Sequence, residues 1–271
     1  MVINHNMMAA NALRNSSINQ GAASKSMEKL SSGLRINRAG DDAAGLSISE
    51  KMRAQIRGLE QASTNAQDGI SMIQTGEGAL NETHNILQRM RELAVQAAND
   101  TNVDADREAI QLEVEALTEE LDRIAETTEF NTQNLFENGA TVNFQVGANK
   151  DQVIEVEFGT MTSAALQVED IKDQLDSSAN ATAAVETINN AIVSVSAERS
   201  KLGAVQNRLE HTISNLDNAS ENLTSAESRI RDVNMAKEMS TYSKNNILQQ
   251  AAQAMLSQAN QQPQNVLQLL R

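Results

Sequence analysis

Between about Ala183 and Ile230, the apolar residues Val185, Ile188, Ile192, Val195, Leu202, Leu209, Ile213, Leu216, Leu223 and Ile230 recur at intervals of three, four and seven, and Arg199, Gln206 and Ser220 stand where the repeat is interrupted. A heptad kept over that distance selects an α-helix with one narrow apolar seam and a left-handed supercoil. At 1.5 Å per residue it would run roughly 75 Å, far beyond the usual element of a globular domain. Such a helix can bury its seam only against partners of similar length. The chain is therefore expected to be built from long helices lying side by side.

The sequence supplies those partners. From about Ser47 to Asn99, Ile56, Leu59, Ala66, Ile70, Ile73, Leu80, Leu87, Met90, Ala94 and Ala97 follow helical spacing, and Gly69, Gly76 and Gly78 are expected to weaken or bend that helix midway. Ile110, Val114, Leu117, Leu121 and Ile124 predict a shorter helix, opened by Asp104 and Asp106, whose charges suit a helix N-terminus. Towards one end, Ile3, Met7, Ala10, Leu13 and Ile18, then Met27, Leu30 and Leu34, form a thin apolar stripe. Towards the other, Met235, Met239, Tyr242, Leu248, Ala252, Met255 and Ala259 lie in a Gln- and Asn-rich setting. Both end helices carry too little apolar surface to be stable alone. Four Phe, one Tyr and no Trp leave little bulk for a compact globule, and the single proline, Pro263, leaves long helices uninterrupted.

Two stretches break the pattern. "SSGLRINRAGDDAAGLSIS", residues 31–49, holds three glycines and two adjacent aspartates and predicts an irregular connector. In "TVNFQVGANKDQVIEVEFG", Val142, Phe144 and Val146 alternate with polar residues, and after "GANKD" apolar residues resume from Val153 or Ile154 through Val156 and Phe158, which predicts a β-hairpin. The following "TMTSAALQVEDIKDQLDSSANATA" reads as a polar bridge between the helical halves.

A net charge of −14 and a pI near 4.7 disfavour nucleic acid as a partner, because a polyanion is bound by clustered Lys and Arg. With no cysteine, disulfides, thiolate metal sites and Cys nucleophiles are excluded together. No stretch is apolar enough to insert into a membrane, and "MVINHNMMAANALRN" lacks the features of a cleaved signal peptide. His5, His84 and His211 fall on different segments without convergent acids, and "TGEGAL" lacks the Lys-Ser/Thr of a phosphate loop. Asp41 and Asp42 read as a local cap or ion pair near Arg35 and Arg38. No catalytic, metal or cofactor site is expected, and the methionines read as adaptable packing.

"MEKLSSGLRINRAGDDAAGLSISEKM", "ILQRMRELAVQAAND", "KLGAVQNRLEHTISNL", "AESRIRDVNMAKEMS" and "QAMLSQANQQPQNVLQLLR" closely resemble the terminal regions of bacterial flagellin, over residues 1 to about 140 and about 183 to 271. Many flagellins carry a large variable centre, whereas this chain has about forty residues there, so it resembles a short form. The resemblance implies a mainly α fold, a two-domain rod of long antiparallel helices in a coiled-coil-like bundle with a hairpin near 141–159. Residues 1–44 with 235–271 would form a terminal coiled coil lining the filament's inner core, and 45–234 a helical rod domain. Ile3, Met7, Leu13, Leu248, Met255, Val266 and Leu269 would pack in that inner core, and Gly33, Gly40 and Gly45 would serve a hinge between the domains.

The implied function is that of a structural subunit polymerising into the extracellular flagellar filament that drives swimming. Its partners would be copies of itself, hook-associated and cap proteins, an export chaperone and the type III export apparatus. As a monomer it would meet the Toll-like flagellin receptor through Arg89, Leu93 and Glu113, with Arg89 and Leu93 on one helix face. The hook-filament junction protein shares these terminal regions and is the alternative, disfavoured by the "NFQVGAN" hairpin and the "QQPQNVLQLLR" tail. Flagellins with a metallopeptidase in the variable domain are disfavoured by the short centre and the missing HExxH, and a cytoplasmic coiled-coil scaffold is the generic third reading.

Overall fold

The computed structural model describes the backbone of residues 6–269 and the side chains of residues 6–262. In chain order the described elements are α1 (Met7–Ser32), α2 (Ala43–Ala97), α3 (Asp104–Thr127), β1 (Glu129–Phe130), β2 (Gln133–Asn134), β3 (Thr141–Gln145), β4 (Val153–Glu157), a 3₁₀ helix (Glu169–Leu175), α4 (Ser178–Arg231) and α5 (Met235–Leu269). The fold is mainly α, as the heptads require. It divides into two compact units, Met1–Gln55 with Glu221–Arg271, and Ile56–Ser220.

In the unit Ile56–Ser220, the heptad of α4 buries Ile188, Val195, Leu202 and Leu209 against Ile73, Leu80, Leu87 and Met90 of α2 and Val114 and Leu121 of α3 in one apolar core. Polar rungs fix the direction of α2 against α4. Ser63 donates to Asp217 at 3.3 Å, Arg199 pairs with Glu77 at 3.6 Å, and Arg91 donates to Asn189 at 3.3 Å. One number climbs as the other falls, so the helices are antiparallel. At the start of α3 the Asp106 carboxylate accepts from the Val103 N–H at 3.2 Å, the capping role its position implies.

Two of the three glycines expected to weaken or bend α2 have a packing role. The helix runs unbroken through all three, and Gly69 and Gly76 are seats for aromatic rings. A Cβ on Gly69 would stand 3.2 Å from the Phe144 ring, and one on Gly76 would stand 3.2 Å from both Phe136 and Phe158. Those last two rings meet edge to face, with centroids 5.9 Å apart. The β3–β4 register pairs Val142 with Val156 and Phe144 with Ile154, which sends Ile154 and Val156 into the core and leaves Val153 out.

The polar bridge after the hairpin is also corrected. Met161, Leu166, Val168, Ile171 and Leu175 are buried in the same core. Tight turns and a 3₁₀ helix turn these irregularly spaced residues inward, so their burial follows no period that a sequence reading detects. Ser163 is held by its N–H and hydroxyl, both donating to the Asp122 carboxylate at 2.7 Å, and Lys172 pairs with Glu115 at 2.7 Å.

Candidate assembly surface

In the other unit, α1 and α5 pack antiparallel, with Asn6 donating its side-chain N–H to the Ala259 carbonyl at 2.8 Å near one end and Leu34 bridging Asp232 at the other. The seam is a heptad mostly of small and polar residues, with Leu30, Tyr242 and Leu256 its large members. On α1 it comprises Ala9, Ala12, Ser16, Asn19, Ala23, Ser26 and Leu30, and on α5 Glu238, Tyr242, Asn245, Gln249, Ala252, Leu256 and Ala259, each half-buried or buried. Short side chains let two helices approach closely but bury little apolar surface.

Most of the large apolar side chains lie on the other faces. Met7, Met8, Leu13, Ile18 and Met27 of α1, with Met235, Met239, Ile247, Leu248 and Met255 of α5, are 41–66% exposed. Of the inner-core residues named from sequence, Met7, Leu13, Leu248 and Met255 therefore stand outside the α1–α5 seam; Ile3 and the side chains of Val266 and Leu269 lie outside the described residues. Of the thin stripe read from the sequence of α1, Met7, Ala10, Leu13, Ile18 and Met27 are exposed outside the seam, whereas Leu30 lies in it. The sequence reading picked out Leu30, Tyr242, Ala252 and Ala259 of the seam but not its other alanine, serine and asparagine members, which carry almost no hydropathy signal.

The connector is more firmly held than its glycines imply. Only Gly33 of the three has a positive φ, +72°, where it closes α1 in the left-handed conformation and its N–H donates to the Lys29 carbonyl at 2.9 Å. The next residues then run beside the start of α5. The Arg35 N–H donates to the Arg231 carbonyl at 2.6 Å and the Val233 N–H to the Gly33 carbonyl at 3.0 Å, while the Arg35 guanidinium donates to the Ile230 carbonyl. Ile36 is buried beneath them.

The two aspartates cap turns. Asp41 accepts from the Asn37 and Arg38 N–H groups at 3.2 and 3.0 Å, and Asp42 accepts from the Gly45 N–H at 2.8 Å to open α2. Arg38 pairs with Glu28 instead of either aspartate. Gly45 is a packing glycine in the first turn of α2, since a Cβ there would stand 2.5 Å from Asp42 Oδ2 and 2.8 Å from Ile36 Cδ1. Gly40 stands in open space.

Arg89 and Glu113 meet across α2 and α3, with the Arg89 Nε and terminal N–H donating to one Glu113 oxygen at 3.0 and 2.8 Å and a third N–H reaching Glu92 at 3.2 Å. Leu93 does not join this exposed cluster. At 2% exposure it belongs to the core, because four residues advance a helix by about 40° beyond a full turn and carry it from the surface to the buried seam. Among the described residues, no cluster of three or more His, Cys, Asp or Glu side chains could hold a metal, and no helix is long and apolar enough to cross a membrane.

The family model for the bacterial flagellin N-terminal helical region matches residues 3–141, and that for the C-terminal helical region matches residues 185–270. A flagellin of Halalkalibacterium halodurans is 61% identical over 272 residues, and one of Bacillus subtilis 55% identical over 304, each match covering all of both chains. Among solved structures, a chain described as a flagellar hook-associated protein of Vibrio parahaemolyticus aligns with a TM-score of 0.61 over 71% of this chain and 100% of its own. At 13% identity that likeness shows a shared fold alone.

Proposed function

Because this chain belongs to the bacterial flagellin family and is a structural subunit of the flagellar filament, we propose that it joins neighbouring copies through the outward faces of α1 and α5. The observation that carries this reading is the inverted patterning of the pair, a seam mostly of small and polar residues and ten large apolar side chains outside it. Burying side chains of this kind contributes about 1.5–3 kcal/mol each for a full transfer. Ten half-exposed ones supply on the order of 10–15 kcal/mol, comparable to the roughly 4–15 kcal/mol that association costs in lost freedom. Contacts between unlike patches of successive copies propagate as a helix when the rotation between copies does not close a ring, which is the arrangement a filament subunit requires.

On this reading residues 1–44 with 235–271 form the assembly domain, and the connector with Gly33 and Gly40 accommodates differences between subunit positions. The filament that flagellins form is extracellular. A cysteine-free chain with weakly apolar ends suits export as an unfolded polypeptide through the type III apparatus, delivered by an export chaperone and met outside by hook-associated and cap proteins. Its role is structural and needs no cofactor. As a free subunit it presents the Arg89–Glu113 cluster to the Toll-like flagellin receptor, with Leu93 acting from beneath by fixing that face.

Replacing Leu13, Ile18 and Ile247 together by Ser tests the assembly surface. All three are exposed, so the monomer should keep its circular dichroism while elongation from filament seeds, followed by electron microscopy, is lost. Elongation at the parent rate would overturn the reading.

A further inference from the structure

The methionines are divided between the two units with little overlap. Met72, Met90 and Met161 lie in the core of the unit Ile56–Ser220, 0–8% exposed, and Met52, half-buried on α2, belongs to the other unit. Met7, Met8 and Met27 on α1 and Met235, Met239 and Met255 on α5 are 49–66% exposed, all outside the α1–α5 seam. Met8 and Met255 line one groove with Ala12, Gln258, Ala259 and Gln262. Leucine would bury similar volume there without a reactive atom. The chain has no cysteine to intercept an oxidant, no tryptophan, and a single half-buried tyrosine, Tyr242. Among the described residues, the exposed methionine sulfurs are thus gathered on the surface assigned above to assembly.

We propose that these six methionines are an oxidation site through which a peroxide-class oxidant stops the free subunit from joining a filament, and which assembly protects. The proposal rests on the assembly reading above. In the reaction a thioether lone pair attacks one oxygen of hydrogen peroxide, the S–O bond forms as the O–O bond breaks, and the departing hydroxide removes the proton left on the transferred oxygen as water. The sulfur loses two electrons and the peroxide gains them. The product sulfoxide is polar and accepts hydrogen bonds, so burying it among apolar side chains without a donor opposes association. The buried methionines of the other unit escape this chemistry, and the monomer stays folded.

The test begins with brief hydrogen peroxide treatment of monomer and of filament, with oxidation located by peptide mass spectrometry. In the monomer the six terminal-helix methionines should oxidise well before Met72, Met90 and Met161, and in the filament they should be protected. Oxidised monomer should retain native circular dichroism and elongate seeds about tenfold more slowly or worse. Treatment with the two epimer-specific methionine sulfoxide reductases should restore elongation. Substituting Leu at all six positions should leave whatever elongation rate the variant retains unchanged by peroxide.

Normal elongation by monomer shown to carry the six sulfoxides would overturn the proposal, as would equal oxidation of the buried methionines or of filament and monomer. Should the Leu variant fail to elongate untreated, the reductases decide: recovery supports the proposal, and a folded, fully reduced chain that stays inactive overturns it. An untreated parent chain that cannot elongate overturns the assembly reading and this proposal together, a failure seen before any oxidant is added.

Discussion

Asp41 sits where the turn after Ile36 must close, and its carboxylate receives two successive backbone N–H groups, from Asn37 and Arg38. Donation from the Arg38 N–H, then from that of Asn37, favours the charged form and holds this carboxyl below the ordinary aspartate range. The folded value lies below the unfolded one, so the turn is stabilised above the ordinary carboxylate pKa and loses that stabilisation as pH falls through the lowered value. The Asn37 and Arg38 amide resonances of the monomer should therefore titrate together, with a midpoint below that of an unperturbed aspartate. In Asp41→Asn the same resonances should not titrate, and a midpoint at or above the ordinary value would contradict the assignment. This turn was legible from residue types alone, because adjacent aspartates beside glycine have few other uses. Leu93 was not: its distance from Arg89 is correct for a shared surface patch, and only the packing of α3 and α4 shows which side of the helix is covered.

At the scale of elements, the heptad of α4 and the alternation of β3 and β4 were readable because each has one buried side and a fixed period. The glycines of α2 carried an ambiguous signal, since a glycine in a helix reads equally as a weak point or as a place where something approaches. Gly76 is the second kind, with Phe136 and Phe158 against it, whereas Gly78, two residues on, is exposed and faces open space. The two should respond to substitution with opposite signs. Gly76→Val should destabilise the monomer by about 1–3 kcal/mol through overpacking, and Gly78→Ala should stabilise it by up to about 1 kcal/mol through helix propensity. Urea unfolding followed by circular dichroism measures both, and a Gly76→Val chain as stable as the parent would remove the ring-seat explanation. Residues 160–175 were misread for a different reason: their apolar side chains are buried by turns, which leave no period behind.

The two units of the whole molecule differ in what holds them. Among the described residues, the unit Ile56–Ser220 buries Leu, Ile, Val, Phe and Met side chains from three helices, both strand pairs' surroundings and the 3₁₀ helix, whereas the unit containing α1 and α5 buries Ala23, Ser26, Ile36, Ser49 and Ala259. Ordering a residue costs roughly 1–2 kcal/mol of backbone entropy, and a seam mostly of small and polar residues offsets little of it. On the proposed assembly, neighbouring copies reinforce the order of the terminal helices, and the larger core of the other unit is the more self-sufficient. Removing residues 1–44 and 235–271 should consequently leave a soluble helical monomer whose cooperative thermal transition lies within a few degrees of the full-length monomer's main transition. In the full chain, limited proteolysis should cut α1 and α5 first in the monomer and be suppressed there on polymerisation. The truncated fragment should neither extend seeds nor slow the full chain from doing so, because it lacks the outward apolar faces that a growing end would accept. Filaments grown from that fragment, seen by electron microscopy, would place the assembly surface in the unit Ile56–Ser220 and defeat the reading of α1 and α5.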